Sequence, residues 1–366
     1  MWNRQIDRQQ IRVEGQTWCA ANRPQLVRLA VTEPDEALRD VYAFLADWFD
    51  DSPEIGVQTS GSTGVPKQMR VSKERMMNSA CQTCSFLGLE TGCTALLCMN
   101  MKYIGAKMMV VRALVAGMNL LVRPAVGHPM TLVDGPVDFT AIVPLQLYQS
   151  LQTEAEKRQL SRCRHILVGG GAVDAALCEK LAGLPSRFYS TYGMTETLSH
   201  IALRLLNGPD AGLHYTPFDN VRVSLSADNT LVIDAPELCD TRLVTNDVAR
   251  IYPDGTFVIL GRRDNTVNSG GIKIQIEEDE ALLKSHIGVP FALTAVPDER
   301  LGEALVLLVS RDLPQPVEQL RSLLSAWLPR YHVPRYILPV EQIPLAGNGK
   351  INRAVCRELA VSLINT

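Results

Sequence analysis

His165-Ile166-Leu167-Val168-Gly169-Gly170-Gly171 is a short apolar run that stops at three glycines. A helical stretch, 174–182, follows, and Arg187-Phe188-Tyr189-Ser190 then runs into Thr191-Tyr192-Gly193. Strand, glycine loop, helix and strand in that order predict parallel strands joined by a crossover, and so an α/β sheet. Ligands of such a sheet lie beyond the carboxyl ends of its strands, where both glycine-bearing loops fall. Upstream, the apolar spacing predicts helices over 34–50, 73–87, 106–116 and from 145 to 152. Strands are predicted over 95–99, 119–123 and 139–143. Downstream, residues 221–260 alternate with the turns Asp228-Asn229 and Asp254-Gly255 and read as a small antiparallel β unit. Past Gly261-Arg262-Arg263-Asp264, the strands 272–276, 291–296 and 304–309 and the helices 277–286 and 317–328 complete a further unit. The expectation is an α/β protein with a large N-terminal domain, 1–263, and a small α+β C-terminal domain, 264–366.

The composition narrows the function. A chain of 366 residues with 46% hydrophobic and 20% charged residues is an ordinary globular protein with room for two cores. A net charge of −3 argues against a nucleic-acid partner. The longest apolar region, 108–122, is broken by Arg112, Gly117 and Asn119, so no membrane insertion is expected. Met1-Trp2-Asn3-Arg4-Gln5 does not open a signal-peptide core, and a cytoplasmic protein is expected. Cys81 and Cys84 have C-x-x-C spacing inside a predicted helix, with no second pair and no histidine cluster. They read as two reduced thiols one turn apart, and no metal is assigned to cysteine.

Four motifs carry chemistry. Thr59-Ser60-Gly61-Ser62-Thr63-Gly64-Val65-Pro66-Lys67-Gln68 collects hydroxyl groups, two glycines and a lysine ahead of a helix. Gly61 and Gly64 let the backbone close around an anion, and Lys67 adds positive charge. It is not the Walker pattern, because Val65 and Pro66 separate Lys67 from Gly64. A Ser/Gly-rich surface turn has the same composition. In Ser190-Thr191-Tyr192-Gly193-Met194-Thr195-Glu196-Thr197, Thr195 suits a phosphate and Glu196 suits Mg²⁺, which prefers oxygen ligands. Tyr192 offers a flat face to a base; alternatively it packs in the core while Glu196 caps a helix. Asp247, in Thr245-Asn246-Asp247, and Arg262 can hold ribose hydroxyls or be a turn and a surface pair. Gly347-Asn348-Gly349-Lys350-Ile351-Asn352-Arg353 presents Lys350 on a glycine-bearing loop, which alone is a β-turn.

Together and in this order, the four motifs resemble the superfamily of adenylate-forming enzymes: acyl-CoA synthetases, nonribosomal-peptide adenylation domains and luciferases. The resemblance runs from residue 55 to the C-terminus. It implies ATP, Mg²⁺ and CoA as participants, and a C-terminal domain that rotates about a hinge at Asp264 between two half-reactions. Thr59, Ser60, Gly61, Ser62, Thr63, Gly64 and Lys67 would hold the ATP phosphates. Gly169, Gly170 and Gly171 would border the adenine and acyl pocket, and Tyr192, beside Gly193 and Met194, would stack on adenine. Thr195 would touch the α-phosphate, Glu196 would bind Mg²⁺, and Asp247 and Arg262 would hold ribose. Lys350 would bridge the carboxylate and AMP oxygens, and Ser269, Gly270 and Gly271 would line the CoA tunnel.

Two departures matter. The triplet usually read Thr-Gly-Asp is Thr245-Asn246-Asp247, and only 58 residues precede Thr59, which implies a reduced N-terminal subdomain. The short N-terminal region, the 193–200 segment and the stretch 101–109 resemble the short o-succinylbenzoate–CoA ligases of menaquinone biosynthesis. That substrate has two carboxylates, so Lys102, Tyr103, Lys107, Ser199, His200 and Arg204 are candidate pocket groups. The plainer readings are solvated lysines, a wall histidine and a surface arginine. A ligase for another aryl or acyl acid, a stand-alone adenylation domain and a nucleotide-binding regulator without catalysis stay open, as does a homodimer. Retention of Lys350, Glu196 and Asp247 weighs against the regulator.

Overall fold

The computed structural model describes residues 2–58, 68–171, 173, 175–314, 316–345 and 351–365. Its contacts divide the chain into two units. The first comprises Met1–Val223, Ile233–Leu243 and Pro253–Thr256, and the second Ser224–Val232, Val244–Tyr252 and Phe257–Thr366.

Nine strands form the sheet of the first unit. Across the sheet the order is Thr216–Pro217, His200–Leu205, Arg187–Gly193, Cys163–Val168, Val137–Ile142, Thr94–Leu97, Asn119–Val122, Gln10–Val13 and Gln16–Cys19. From Arg187–Gly193 to Gln10–Val13 all neighbours are parallel, and the pairings toward both edges are antiparallel. Ile166, Leu167 and Val168 are buried in succession, without alternation, because elements cover both faces of the strand. On one face Leu96, Ile142, Ile166, Val168 and Phe188 pack with Leu147, Leu160, Leu177 and Leu181. The α/β expectation holds, and most expected elements lie within a few residues of those observed.

Two helices bracket the regions of chemical interest. Lys73–Leu87 starts where the Ser72 hydroxyl accepts the Arg75 N–H at 3.4 Å and stops at Gly88, in the left-handed region at φ +60°. Its first residue is clamped: the buried Lys73 ammonium donates to the Asp50 carboxylate at 2.7 Å and to the Asp50 carbonyl at 3.0 Å. Within this helix, burial pushes the Cys84 thiol up to about 12 and the Cys81 thiol upward, so both rest as thiols. The second helix, Ile104–Ala116, packs along Lys73–Leu87 and over the central strands.

The N-terminal hairpin Gln10–Val13 and Gln16–Cys19 was not anticipated from the sequence. Its Glu14-Gly15 turn has positive φ at both positions, 45° and 82°, matching the right-handed twist of the strands. The Glu14 carboxylate accepts from the Val122 N–H at 2.6 Å and from Arg123 at 2.9 Å, which fastens the hairpin to its parallel neighbour.

A four-stranded sheet runs in the order Arg222–Leu225, Thr230–Asp234, Leu243–Ile251, Phe257–Arg262. In the second unit a further sheet combines Thr266–Ser269, Ile272–Gln275, Phe291–Asp298, Gly302–Ser310 and Tyr336–Val340. One of its faces packs on Leu283, Leu320 and Leu324 of the helices Ile276–Leu283 and Val317–Trp327. The other packs on Cys356 and Ala360 of Arg353–Ile364. No helix among the described residues is long and apolar enough to cross a membrane.

His165 is an expensive member of the central sheet. It is buried between Phe139 and Arg187 of the neighbouring strands, and among the described residues neither ring nitrogen has a hydrogen-bond partner. Burial, with Arg164 and Arg187 adding to it, pulls its pKa from 6.5 down to about 4. The unfolded chain therefore binds a proton that the folded protein excludes, and stability falls as pH drops from 6.5 toward 4. The full shift corresponds to about 3 kcal/mol. Between pH 6.5 and 4.5, urea unfolding should show the parent protein losing about 2 kcal/mol more stability than His165→Phe, since the remaining titrating groups contribute alike to both; equal losses would refute the assignment.

Candidate active site

The strand Arg187–Gly193 carries Tyr192 to its carboxyl end, and the chain then reverses into the antiparallel strand His200–Leu205. The reversal is tight enough to require glycine: a Cβ at Gly193 would stand 2.8 Å from the Ser199 carbonyl carbon and closer still to its oxygen. Between them, Thr195–Thr197 forms a 3-10 turn that leaves Thr195 half-buried and Glu196 exposed. Leu198 then has φ +65° and ψ −37°, and the Ser199 N–H bonds the Thr197 carbonyl at 2.7 Å across it. That is a γ-turn with positive φ at a buried leucine, a strain of about 1–3 kcal/mol. Thr197 holds it. Its hydroxyl accepts the Met194 N–H at 3.1 Å, and its hydrogen is shared between the carbonyls of Met194, at 3.0 Å, and Ser199, at 2.7 Å.

Behind this turn lies a buried polar chain that the sequence reading found only in part. Arg112, in the helix Ile104–Ala116, is 1% exposed and donates from Nη2 to the Ser199 hydroxyl at 2.7 Å. Ser199 lies 3.2 Å from His200 Nδ1, His200 Nε2 lies 2.9 Å from the Thr83 hydroxyl, and Thr83 donates to the Ser79 carbonyl at 3.2 Å. Only one proton assignment satisfies the chain. Thr83 has given its hydrogen to Ser79, so it accepts from His200 Nε2–H, and Nδ1 accepts from Ser199. The imidazole is thus neutral, and burial together with the Arg112 charge holds its pKa well below 6.5. Burial also pulls Arg112 down to about 10. Among the described residues its Nε has no hydrogen-bond partner and no carboxylate pairs with it. The available signal was the charge itself, one arginine inside the otherwise apolar stretch 108–116.

The remaining candidates fall around the same strand ends. Gly169, whose N–H bonds the Ile142 carbonyl at 3.0 Å, follows the strand Cys163–Val168. A Cβ there would meet the Thr191 hydroxyl at 2.8 Å. Gly170 has φ +79°, and Gly171 continues the loop. Thr59 through Lys67 lie outside the described residues. Their flanks form the antiparallel pair Glu54–Gln58 with Gln68–Ser72, closing on Gln58 opposite Gln68. Tyr103 bridges to Gln58, and the Lys107 ammonium donates to the Gly56 carbonyl at 2.8 Å, so Lys107 braces this hairpin. Burial lowers the Lys107 pKa. Lys102 is exposed on the turn before Tyr103. Arg204 donates to the Val173 carbonyl at 3.2 Å.

In the second unit Asp247 and Arg262 are register partners on the strands Leu243–Ile251 and Phe257–Arg262, 3.4 Å apart. Arg262 also donates to Asp264 at 2.7 Å, and Asn246 reaches the same carboxylate at 3.3 Å. Ser269 and Ile272 close a hairpin whose two-residue turn is Gly270-Gly271, at φ +58° and +82°. Lys350 lies outside the described residues. Leu345 and Ile351 flank it as a bridge pair, and Arg353 is held by Glu280 through two bonds of 2.6 Å.

With this geometry in view, residues 56–236 match the AMP-binding enzyme family. An acyl-CoA synthetase (AMP-forming)/AMP-acid ligase II-like protein from Dyadobacter fermentans is 31% identical, with 88% of this chain and 94% of that one covered and a TM-score of 0.61. The chain belongs to the AMP-binding enzyme family. Within it, a 2-succinylbenzoate–CoA ligase of Geobacillus sp. (strain WCH70) is 28% identical over 346 residues, covering 85% of this chain and 70% of that protein. The O-succinylbenzoate coenzyme A synthetase of Bacillus subtilis, solved in complex with ATP and magnesium ion, shares the fold at 20% identity. There the TM-score is 0.67, over 82% of this chain and 68% of that one.

The Gly193 reversal makes a direct prediction for this family member. Gly193→Ala should destabilise the protein by about 1–3 kcal/mol or more, because the Ser199 backbone must move. Gly183→Ala is the matched control, since a Cβ there meets nothing within 4 Å and only its positive φ of 82° is strained. Thermal unfolding should rank Gly193→Ala well below that control; equal midpoints would show that the reversal relaxes freely.

Proposed function

We propose that the protein is an ATP-dependent acid–CoA ligase that activates o-succinylbenzoate as an acyl-adenylate, with release of pyrophosphate and then AMP. Arg112 carries this reading. A buried guanidinium without an anion is costly, and it stands one hydroxyl behind the motif that begins at Tyr192. An acid bearing a second carboxylate supplies the missing charge beside Ser199. The naming of curated relatives as 2-succinylbenzoate–CoA ligases supports the same substrate.

In this reading ATP binds beyond the strand ends, with Tyr192 against adenine and the loop Gly169–Gly171 beside it. Asp247 and Arg262 hold the ribose, and the 59–67 loop takes the phosphates. Glu196 is an exposed carboxylate with no cation paired to it among the described residues, which suits a hard divalent ion. Mg²⁺ bound there would offset phosphate charge. Thr195 orients the α-phosphate for in-line attack by the carboxylate, and Lys350 offsets the repulsion between the two anions. The second half-reaction, attack of the CoA thiol on the acyl carbonyl with loss of AMP, uses the Ser269-Gly270-Gly271 hairpin. A hinge at Asp264 between domains 1–263 and 264–366 exchanges the two states.

The purified protein should convert o-succinylbenzoate, ATP and CoA into thioester, AMP and pyrophosphate. Arg112→Met should lower kcat/KM for that acid about tenfold or more while leaving benzoate-type monocarboxylates unchanged. ADP as product would remove the adenylate mechanism, and an unaltered preference in the variant would remove the substrate assignment.

Lys350→Ala separates the half-reactions. Adenylation should fall about 10²-fold, while thioester formation from preformed acyl-adenylate is largely retained. Equal slowing of both steps in single-turnover measurements would contradict the two-state scheme.

A further inference from the structure

Tyr215 lies across the face of the strand Arg187–Gly193 that carries Ser190 and Tyr192. Its hydroxyl is 2.8 Å from the Ser190 hydroxyl, and its ring centroid is 5.8 Å from that of Tyr192. Arg204 is the register partner of Ser190 on the antiparallel neighbour, and its guanidinium lies 5.6 Å from the Tyr215 ring centroid. The same guanidinium donates to the Val173 carbonyl at 3.2 Å, at the far end of the loop that begins at Gly169. Among the described residues its buried Nε has no hydrogen-bond partner and no carboxylate pairs with it, and the ring and the carbonyl hold the side chain.

One arginine therefore touches two elements: the aromatic pair, through Tyr215 to Tyr192, and the end of the glycine loop, through Val173. Arg204 stands apart from the Arg112–Ser199–His200 chain and makes no bond to it among the described residues. The sequence alone left it among the candidates for the acid.

We infer that Arg204 and Tyr215 are positioning residues for the adenine base, setting the spacing between Tyr192 and the 169–173 loop, and that neither reads the acid. The inference rests on the placement of the nucleotide proposed above. Removing the guanidinium lets the loop and the tyrosine pair move apart, which weakens nucleotide binding and leaves recognition of the acid intact.

The test is titration of the full-length protein with AMP by calorimetry, together with steady-state kinetics in ATP and in o-succinylbenzoate. Arg204→Met and Tyr215→Ala should each weaken AMP binding and raise KM for ATP by about tenfold, with KM for the acid within about twofold. Arg204→Lys, which keeps a cation over the ring, and Tyr215→Phe, which keeps the ring, should recover most of the loss, while Arg204→Gln, which keeps a donor but loses the cation, should show the loss and carries the test if Arg204→Met fails to fold. A rise in KM for the acid alone would overturn the inference and assign Arg204 to the acyl side. Unchanged AMP binding in Arg204→Met, or in Arg204→Gln where the methionine variant does not fold, would overturn it as well. If the parent protein binds no AMP, the nucleotide placement falls and takes this inference with it. If the parent binds AMP and the variants are indifferent, only the inference falls.

Discussion

The Ser199 carbonyl stands so near the Cα of Gly193 that no side chain fits between them, and the site is organised around that approach. Seven residues before Ser199 the chain is still running parallel with its sheet, and one residue after it the chain is antiparallel. The turn that makes the change carries Thr195 and Glu196. A wider turn would spare Leu198 its positive φ, but it would also release the Thr197 hydroxyl from the three backbone groups it engages. Strain at one residue is thus exchanged for a turn of fixed shape.

The same turn explains why polar groups lie so deep behind it. Ser199 cannot move while Gly193 opposes it, so the partners of its side chain are fixed as well. Arg112, Ser199, His200, Thr83 and the Ser79 carbonyl form a series in which each hydroxyl and imidazole hydrogen has one destination. Such a network tolerates a single arrangement, which favours precision over stability. His165 shows the contrasting case. It is buried without a hydrogen-bond partner among the described residues, it costs stability, and it lies in the middle of its strand, four residues before Gly169.

Much of the fold was legible because local chemistry agreed with it. The helix expected over 73–87 was found between the same residues, since Ser72 caps one end and Gly88 ends the other. The parallel strands announced themselves as continuous apolar runs. Three features were hidden. Leu243–Ile251, which carries Asp247, contains Thr245-Asn246-Asp247 and reads locally as a turn, yet pairing with Phe257–Arg262 holds it extended. The first hairpin is too polar to suggest a sheet, because its Glu14 carboxylate faces Val122 and Arg123 rather than water alone. The Arg112 chain depends on bonds between residues 87 and 117 positions apart, pairings no local pattern encodes. Roles for Glu196 and Asp247 could be suggested by residue type, whereas the half-buried and buried bonds of Lys107, Arg204 and His200 depend on packing.

The residues that flank segments 59–67 and 346–350 share one design, although they belong to different units. Each segment lies between the members of an antiparallel pair, Gln58 with Gln68 and Leu345 with Ile351. Each leads to a helix capped by its own preceding side chain, Ser72 or Asn352. In each, the first helical residue is a cation, Lys73 or Arg353, where the helix dipole alone favours an anion. The conflict is resolved in the same way both times, by a carboxylate from elsewhere in the unit: Asp50 at 2.7 Å for Lys73 and Glu280 at 2.6 Å for Arg353. A cation misplaced on its own helix but paired with a distant anion ties that helix start to a second element. The two ends of each segment are thereby held about 5 Å apart, the spacing of paired strands.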